Sequence, residues 1–254
     1  MAEPAQLTRL FSELGVARGG VLLVHASLGG SGLRAVDVRD VLLDALGPDG
    51  TLVVPAFTPE NSDTSRAHRA LIGDLSPPER ARFLASMLPY NPDTTPCPTM
   101  GTLATCIRTS SGAIRSTHPQ TSFAAIGRRA AELMADHDPH CHLGERSPLA
   151  KLYAAGAQIL LFRVGFEVCS AFHLAQYRTT PPLPQRTYRC VVGEPGHWIS
   201  YEDIALDDHD FAAVGAGLPR EQLAEREVTG RAVRLFAMRA AVDHALTGMS
   251  GFAS

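Results

Sequence analysis

No stretch of this 254-residue chain reaches the ~18 consecutive apolar residues that a membrane-spanning helix needs, so a membrane partner is not expected. Charge of one sign is also scarce. Lys and Arg total 23 against 26 Asp and Glu, a net charge of −3 that speaks against an electrostatic nucleic-acid binder. The five cysteines (Cys97, Cys106, Cys141, Cys169, Cys190) form no C-x-x-C pair and are odd in number. Neither a disulfide framework nor a zinc ribbon is therefore predicted, and reduced thiols are the simplest reading. Met1-Ala2-Glu3-Pro4-Ala5-Gln6 lacks the basic and apolar regions of a signal peptide, so a soluble, cytoplasmic protein is expected. Missing as well are the dinucleotide fingerprint, the P-loop and the G-x-S-x-G elbow, which leaves nucleotide binding and α/β-hydrolase chemistry without support.

What is present is ordinary globular composition, 45% hydrophobic and 19% charged, in a length that fits one domain with a sizeable core. Leu7, Leu10, Phe11 and Leu14 repeat at helical spacing and Gly15 closes the helix. Val21-Leu22-Leu23-Val24 then reads as a buried strand, followed by a glycine-rich turn and an amphipathic helix through Val36, Val41, Leu42, Ala45 and Leu46. Gly47-Pro48-Asp49-Gly50 closes that helix, and Thr51-Leu52-Val53-Val54-Pro55 follows as a second strand. Strand, helix and strand in this order make a βαβ unit, which implies a parallel sheet.

The predicted fold class is α/β: one domain with a central, mostly parallel sheet flanked by helices. Residues 56–98 are predicted as a loop-rich excursion over the active face, with a helix near 78–88 carrying Phe83, Leu84, Met87 and Leu88 as core-type residues. Further helices are expected over 99–109 and 127–136 and from Ser147-Pro148, with strands over 122–126 and 158–164. A small β element is expected near 186–201, and a last amphipathic helix over 229–246 through Val233, Leu235, Phe236, Ala240, Val242 and Leu246.

The most informative stretch is Glu167-Val168-Cys169-Ser170-Ala171-Phe172-His173-Leu174-Ala175-Gln176, just past the apolar run 158–162. Ser170, His173 and Gln176 lie three residues apart and so share one helix face. A helix opening there sits at a strand end, where open α/β sheets form their ligand crevice. His173 is thus a candidate general base with its own orienting partner, against the alternative of an ordinary, partly buried histidine.

Other segments offer weaker signals. His25-Ala26-Ser27-Leu28 ends the first strand with small residues that let backbone N–H groups approach a phosphate, or it is a plain βα turn. The segment from Gly112 to Phe123 packs Arg115, hydroxyls and His118 around Pro119, as a donor-rich ligand wall or as a capped loop. His137-Asp138-Pro139-His140-Cys141-His142 crowds ligand types into six residues without a second cluster, so no metal is predicted. The acids at 202–210, Asp207 and Asp208 among them, form either a solvated loop or a patch for a cationic substrate.

Taken in series, seven segments over residues 5–215 resemble the aminoglycoside 3-N-acetyltransferase family, which is distinct in fold from the commoner acetyltransferases built on a V-shaped splayed sheet. They are His25-Ala26-Ser27-Leu28, Gly47-Pro48-Asp49-Gly50-Thr51-Leu52, Gly112-Ala113-Ile114-Arg115-Ser116-Thr117-His118-Pro119, Ser122-Phe123-Ala124-Ala125-Ile126-Gly127, His137, Gly144-Glu145-Arg146-Ser147-Pro148-Leu149 and Phe172-His173-Leu174-Ala175. The resemblance implies acetyl transfer from acetyl-CoA to a small-molecule amine, aminoglycoside-like or other, without a metal. Antibiotic inactivation and a biosynthetic tailoring step are both open, as are monomer and homodimer.

By the same resemblance His25, Ser27 and Leu28 border the CoA site, with Arg115, Ser116, His118, Ser122 and Phe123 along the pantetheine and phosphate path. His173 takes the amine proton, Ser170 or backbone N–H groups hold the oxyanion, and no cysteine has to act as nucleophile. Glu167, Asp207 and Asp208 are offered to the cationic acceptor. One departure stands out: family members commonly read His-x-Ala-Glu, and this chain has Gln176. Either another carboxylate (Glu167, or an acid at 202–210) takes its place, or the protein is a weakly active or non-catalytic CoA-binding relative.

Overall fold

Along the first strand, β1 (Val21–Ala26), side chains alternate between two apolar layers. Val21 and Leu23 enter one core cluster, and Leu22 and Val24 the other. A strand covered on both faces needs apolar residues at every position, which is why the run Val21-Leu22-Leu23-Val24 is unbroken. The computed structural model describes residues 4–251. Helix α1 (Pro4–Leu14) precedes β1; α2 (Ala35–Leu46) and β2 (Thr51–Pro55) complete the βαβ unit. The chain continues through α3 (Arg66–Ile72), α4 (Pro77–Ser86), α5 (Gly101–Arg108), β3 (Ile114–Arg115) and β4 (Phe123–Gly127). Then come α6 (Ala130–Met134), α7 (Pro148–Ala154), β5 (Gln158–Phe162), α8 (Ala171–Arg178), β6 (Gln185–Val191) and β7 (Trp198–Ile204). Helix α9 (Phe211–Ala216), β8 (Leu223–Val228), β9 (Arg231–Ala237) and α10 (Met238–Gly251) end the described chain.

The seven-stranded sheet has the order β3-β4-β2-β1-β5-β9-β8. The α/β class is as expected from sequence, with the parallel character confined to the centre: β1 pairs in parallel with β2 and β5, and every pairing outside those is antiparallel. Because β1 lies between β2 and β5, the chain leaves it in opposite directions. That topological switch point opens a crevice beyond the carboxyl ends of the parallel strands.

Two expectations are corrected. Val233, Leu235 and Phe236 belong to β9 and not to a helix over 229–246; the final helix starts only at Met238. Thr229 (φ 47°) and Gly230 (φ 74°) form the two-residue turn between β8 and β9, whose registry pairs Val228 with Arg231. Positive φ at both turn positions matches the right-handed twist of a hairpin. Helix α4 contributes no buried residue, and Leu88 just beyond it is 76% exposed, so Phe83, Leu84, Met87 and Leu88 are not core. The end of the excursion around α4 meets the β6–β7 hairpin, where Trp198 Nε1 donates to the Leu84 carbonyl (3.1 Å) and Gly196 N to that of Met87 (2.9 Å). Of residues 56–98, Phe57 is the one described residue that lines the crevice.

Candidate active site

The crevice is a cleft of about 540 Å³ at the switch point. His25, Ser27 and Leu28 from the end of β1 form one wall, Met100 to Ala104 at the start of α5 another, and Glu167, Ser170 and His173 a third. The β1 loop is held from below. Arg163, itself at φ 61°, donates through Nη1 to the carbonyls of Ser27 (3.0 Å) and Gly29 (3.2 Å). Ser31 Oγ donates to the Leu28 carbonyl at 2.6 Å and closes the turn.

Helix α8 carries the central group. Ser170 stands at its N-cap, buried at the cleft wall. His173 packs edge-on against Phe211 with centroids 4.7 Å apart, and its Nδ1 lies 2.8 Å from Gln176 Oε1. Gln176 in turn donates through Nε2 to the Asp207 carbonyl. A carbonyl oxygen only accepts, so the amide nitrogen faces Asp207 and the amide oxygen faces the ring. His173 therefore carries its proton on Nδ1 and leaves Nε2 with a free lone pair. Burial lowers its pKa from the ordinary 6.5, opposed first by the Gln176 hydrogen bond and then by the nearby Asp208 carboxylate. The ring is thus a neutral proton acceptor near pH 7. Cys169, beside Ser170, is fully buried and its thiol is pushed up to about 12, so it holds no thiolate.

Of the acids offered to a cationic acceptor, Glu167 and Asp208 line the cleft. Glu167 accepts from the Gly165 N–H at 3.1 Å. Asp207 is not among the lining residues; its carboxylate pairs with His209 at 2.8 Å, and its backbone anchors Gln176. Among the described residues no carboxylate is hydrogen-bonded to Nδ1 in place of the missing glutamate. Gln176 itself occupies that place.

Arg115, Ser116, His118, Ser122 and Phe123 lie behind the cleft and not on its wall. Arg115 donates to Ser122 Oγ (3.0 Å), to the Ala56 carbonyl (2.5 Å) and to that of Thr95, and so ties both ends of the 56–98 excursion to β3. Ser116 Oγ meets His137 Nδ1 at 3.0 Å and accepts from Phe123 N at 2.9 Å. His118 Nδ1 accepts from the backbone N–H groups of Gln120 and Thr121, both at 3.1 Å. Phe123 packs edge-on against Phe57, whose ring reaches the cleft. Most of the polar atoms that suggested a ligand path bond within the chain, while His118 Nε2 is buried without a partner.

The histidine-rich segment is likewise structural. His137 Nε2 contacts the carbonyls of Cys141 (3.2 Å) and His142 (2.9 Å), while His142 pairs with Asp203 at 2.8 Å. No group of three or more His, Cys, Asp or Glu side chains that could hold a metal ion occurs among the described residues. Sequence reasoning missed Phe57, Met100, Val164 and Phe211 as cleft residues. Only Met100-Gly101, a glycine at φ 85° opening a helix, carried a local signal.

An imidazole with Nε2 free stands on the wall of a cleft at the switch point of an open α/β sheet. Residues 23–250 match the family described as aminoglycoside 3-N-acetyltransferase, and the chain belongs to that family. It is an acyltransferase on that membership. It is 31% identical over 246 residues to the SPbeta prophage-derived aminoglycoside N(3')-acetyltransferase-like protein YokD of Bacillus subtilis, covering 94% of this chain and 89% of the relative. The crystal structure of YokD superposes with a TM-score of 0.89 at 28% identity, over 99% of this chain and 100% of that one. The aminoglycoside N(3)-acetyltransferase III of Pseudomonas aeruginosa is 31% identical over 218 residues, 81% of this chain and 76% of the relative. No helix among the described residues is long and apolar enough to cross a membrane.

Proposed function

We propose that this protein transfers the acetyl group of acetyl-CoA to a primary amine of an aminoglycoside-like small molecule, by direct attack with His173 as general base. The observation that carries the reading is the His173–Gln176 hydrogen bond, which commits the Nδ1 proton and frees Nε2 at the cleft wall. As the amine nitrogen adds to the thioester carbonyl, Nε2 takes its proton; collapse of the tetrahedral adduct breaks the C–S bond, and His173 returns the proton to the departing thiolate. Ser170, on the same wall, donates to the oxyanion, and the cleft-lining Glu167 and Asp208 receive further ammonium groups of the acceptor. His25, Ser27 and Leu28 are the chain's contacts to the thioester arm. The family match and the name of the Pseudomonas aeruginosa relative support the substrate class.

A non-catalytic CoA-binding relative was the alternative raised by Gln176. The amide's geometry favours the enzyme, because it performs the orienting task of a carboxylate. The test is thiol release from acetyl-CoA with a panel of aminoglycosides and simpler amines. Turnover that His173→Ala abolishes supports the proposal; CoA binding without turnover on any amine refutes it.

A further inference from the structure

Besides His173, the cleft wall holds a second imidazole. His25 follows Val21 and Leu23 at two-residue spacing on β1, so its side chain leaves the sheet on the face covered by α8, which carries His173. It is 6% exposed, lines the cleft, and its Nε2 is buried without a hydrogen-bond partner. Of the polar side chains on the cleft wall, His173 and Glu167 bond within the chain. A buried nitrogen without a partner, on a ring that lines a binding cleft, is one that a ligand atom can satisfy. Burial, reinforced by His173, drives the His25 pKa down to about 3, so the ring stays neutral at any working pH and neither gives nor takes a proton in turnover. A neutral imidazole can still donate one hydrogen bond, and a group that needs no reorganisation serves well where negative charge develops.

We propose that His25 is a catalytic residue that donates its Nε2 hydrogen bond to the carbonyl oxygen of the thioester, and holds the oxyanion while His173 moves the proton. This rests on the acetyl-transfer reading above. In the step, the amine lone pair forms the C–N bond and the carbonyl π pair moves onto oxygen, which accepts the hydrogen bond from His25 Nε2–H while the ring keeps its proton. The amine proton passes to His173 Nε2; the oxygen pair then re-forms C=O, the C–S bond breaks, and the thiolate leaves with the proton from His173.

The experiment uses the whole protein and acetonyl-CoA, a ketone analogue with a methylene between carbonyl and sulfur, labelled with carbon-13 at the carbonyl. Isotope-edited infrared spectroscopy is expected to show a lowered carbonyl stretch in the wild type that rises in His25→Leu and stays low in His25→Gln, whose amide nitrogen reaches the Nε2 position. In parallel, His25→Leu is expected to lower kcat about 10²-fold to 10³-fold with little change in KM for acetyl-CoA, and His25→Gln to recover part of it. The acid limb of the rate profile, owed to His173, stays in place in both. A carbonyl stretch that is the same in wild type and His25→Leu, or an unchanged kcat, overturns the role of His25. Failure of acetonyl-CoA to bind at all overturns the acetyl-transfer reading itself. Should His25→Leu not fold, the stretch in His25→Gln decides alone: a rise to the free-ketone value overturns the proposal.

Discussion

Gln176 Oε1 lies 2.8 Å from His173 Nδ1, and what lies beyond the amide fixes the direction of that bond, since its nitrogen can face only the Asp207 carbonyl. The amide is a positioning group that selects one tautomer. Gln176→Ala removes the lock and lets the ring turn, and kcat is expected to fall about 10²-fold, the scale of a small misplacement of a reacting group. KM for acetyl-CoA should hold. Gln176→Glu separates orientation from charge. A carboxylate beside Nδ1 stabilises the imidazolium, so the acid limb of the rate profile moves to higher pH, while the lost donation to Asp207 lowers stability. An acid limb that does not move would mean that residue 176 does not contact the ring in turnover.

The pH dependence of the native enzyme carries its own sign. The working form of His173 is neutral, and burial pulls its pKa below 6.5. Rate is therefore expected to be flat at neutral pH and to fall only as pH drops through that lowered value. His173→Ala should cost about 10²-fold to 10⁴-fold in kcat at pH 7 and abolish the limb. A limb centred above 6.5 would contradict the burial argument.

Stability answers to the same physics at other rings. His25 is pulled to about 3, His137 to about 4 and His118 well below 6.5, each chiefly by burial. A depressed folded-state value favours the neutral ring, so the contribution is complete above about 6.5 and is lost as pH falls toward the folded values. As pH falls from 6.5 toward about 5, His25 and His137 should each remove about 1.4 kcal/mol per pH unit, with His118 acting in the same direction. Urea unfolding at stepped pH is expected to show a slope of about two protons or more, with His137→Gln taking away about one. A slope of one proton or less would show that these rings charge in place.

Arg115 distinguishes a cofactor contact from an internal strap. Arg115→Lys keeps the charge but loses the fork that reaches Ala56 and Thr95. Losing these bonds, with the Ala56 carbonyl left to Ser122 alone, should cost about 1–3 kcal/mol in urea unfolding, with KM for acetyl-CoA within threefold of wild type. The reverse, a large KM rise at unchanged stability, would return Arg115 to the cofactor path.

The central fold was legible because β1, β2 and β5 are apolar at nearly every position and α2 ends in Gly47 with a glycine turn after it. The edge was not. Strand β8 reads Leu-Ala-Glu-Arg-Glu-Val, largely exposed, and β9 mimics a helix because Val233, Leu235 and Phe236 also fit a helical stripe. The trio Ser170, His173 and Gln176 was legible because its spacing is local. Phe57, Met100 and Phe211 were not, since only tertiary folding brings them to one cleft. The 112–123 segment misled for a different reason: residue type shows that a donor needs a partner and is silent on whether that partner is a ligand or the chain's own carbonyl, as Arg115 and Ser116 illustrate.

Gly215 in α9 is tied to the site through packing alone. A Cβ at this position would lie 2.0 Å from Cγ of Phe166, the residue before Glu167 in the turn that leads to Ser170 and His173. Phe166 is in turn packed against Phe236 at 5.8 Å, so its ring has little room to retreat. Gly215→Ala is therefore expected to cost about 1–3 kcal/mol through overpacking and to push the turn toward the cleft. Displacement of Glu167 should raise KM for the amine more than KM for acetyl-CoA. Pairing it with Phe166→Leu, which removes part of the ring, should restore stability beyond what the two single changes predict by addition. Additive costs in that double-mutant cycle would show that the two residues do not meet, and the link from α9 to the cleft would be lost.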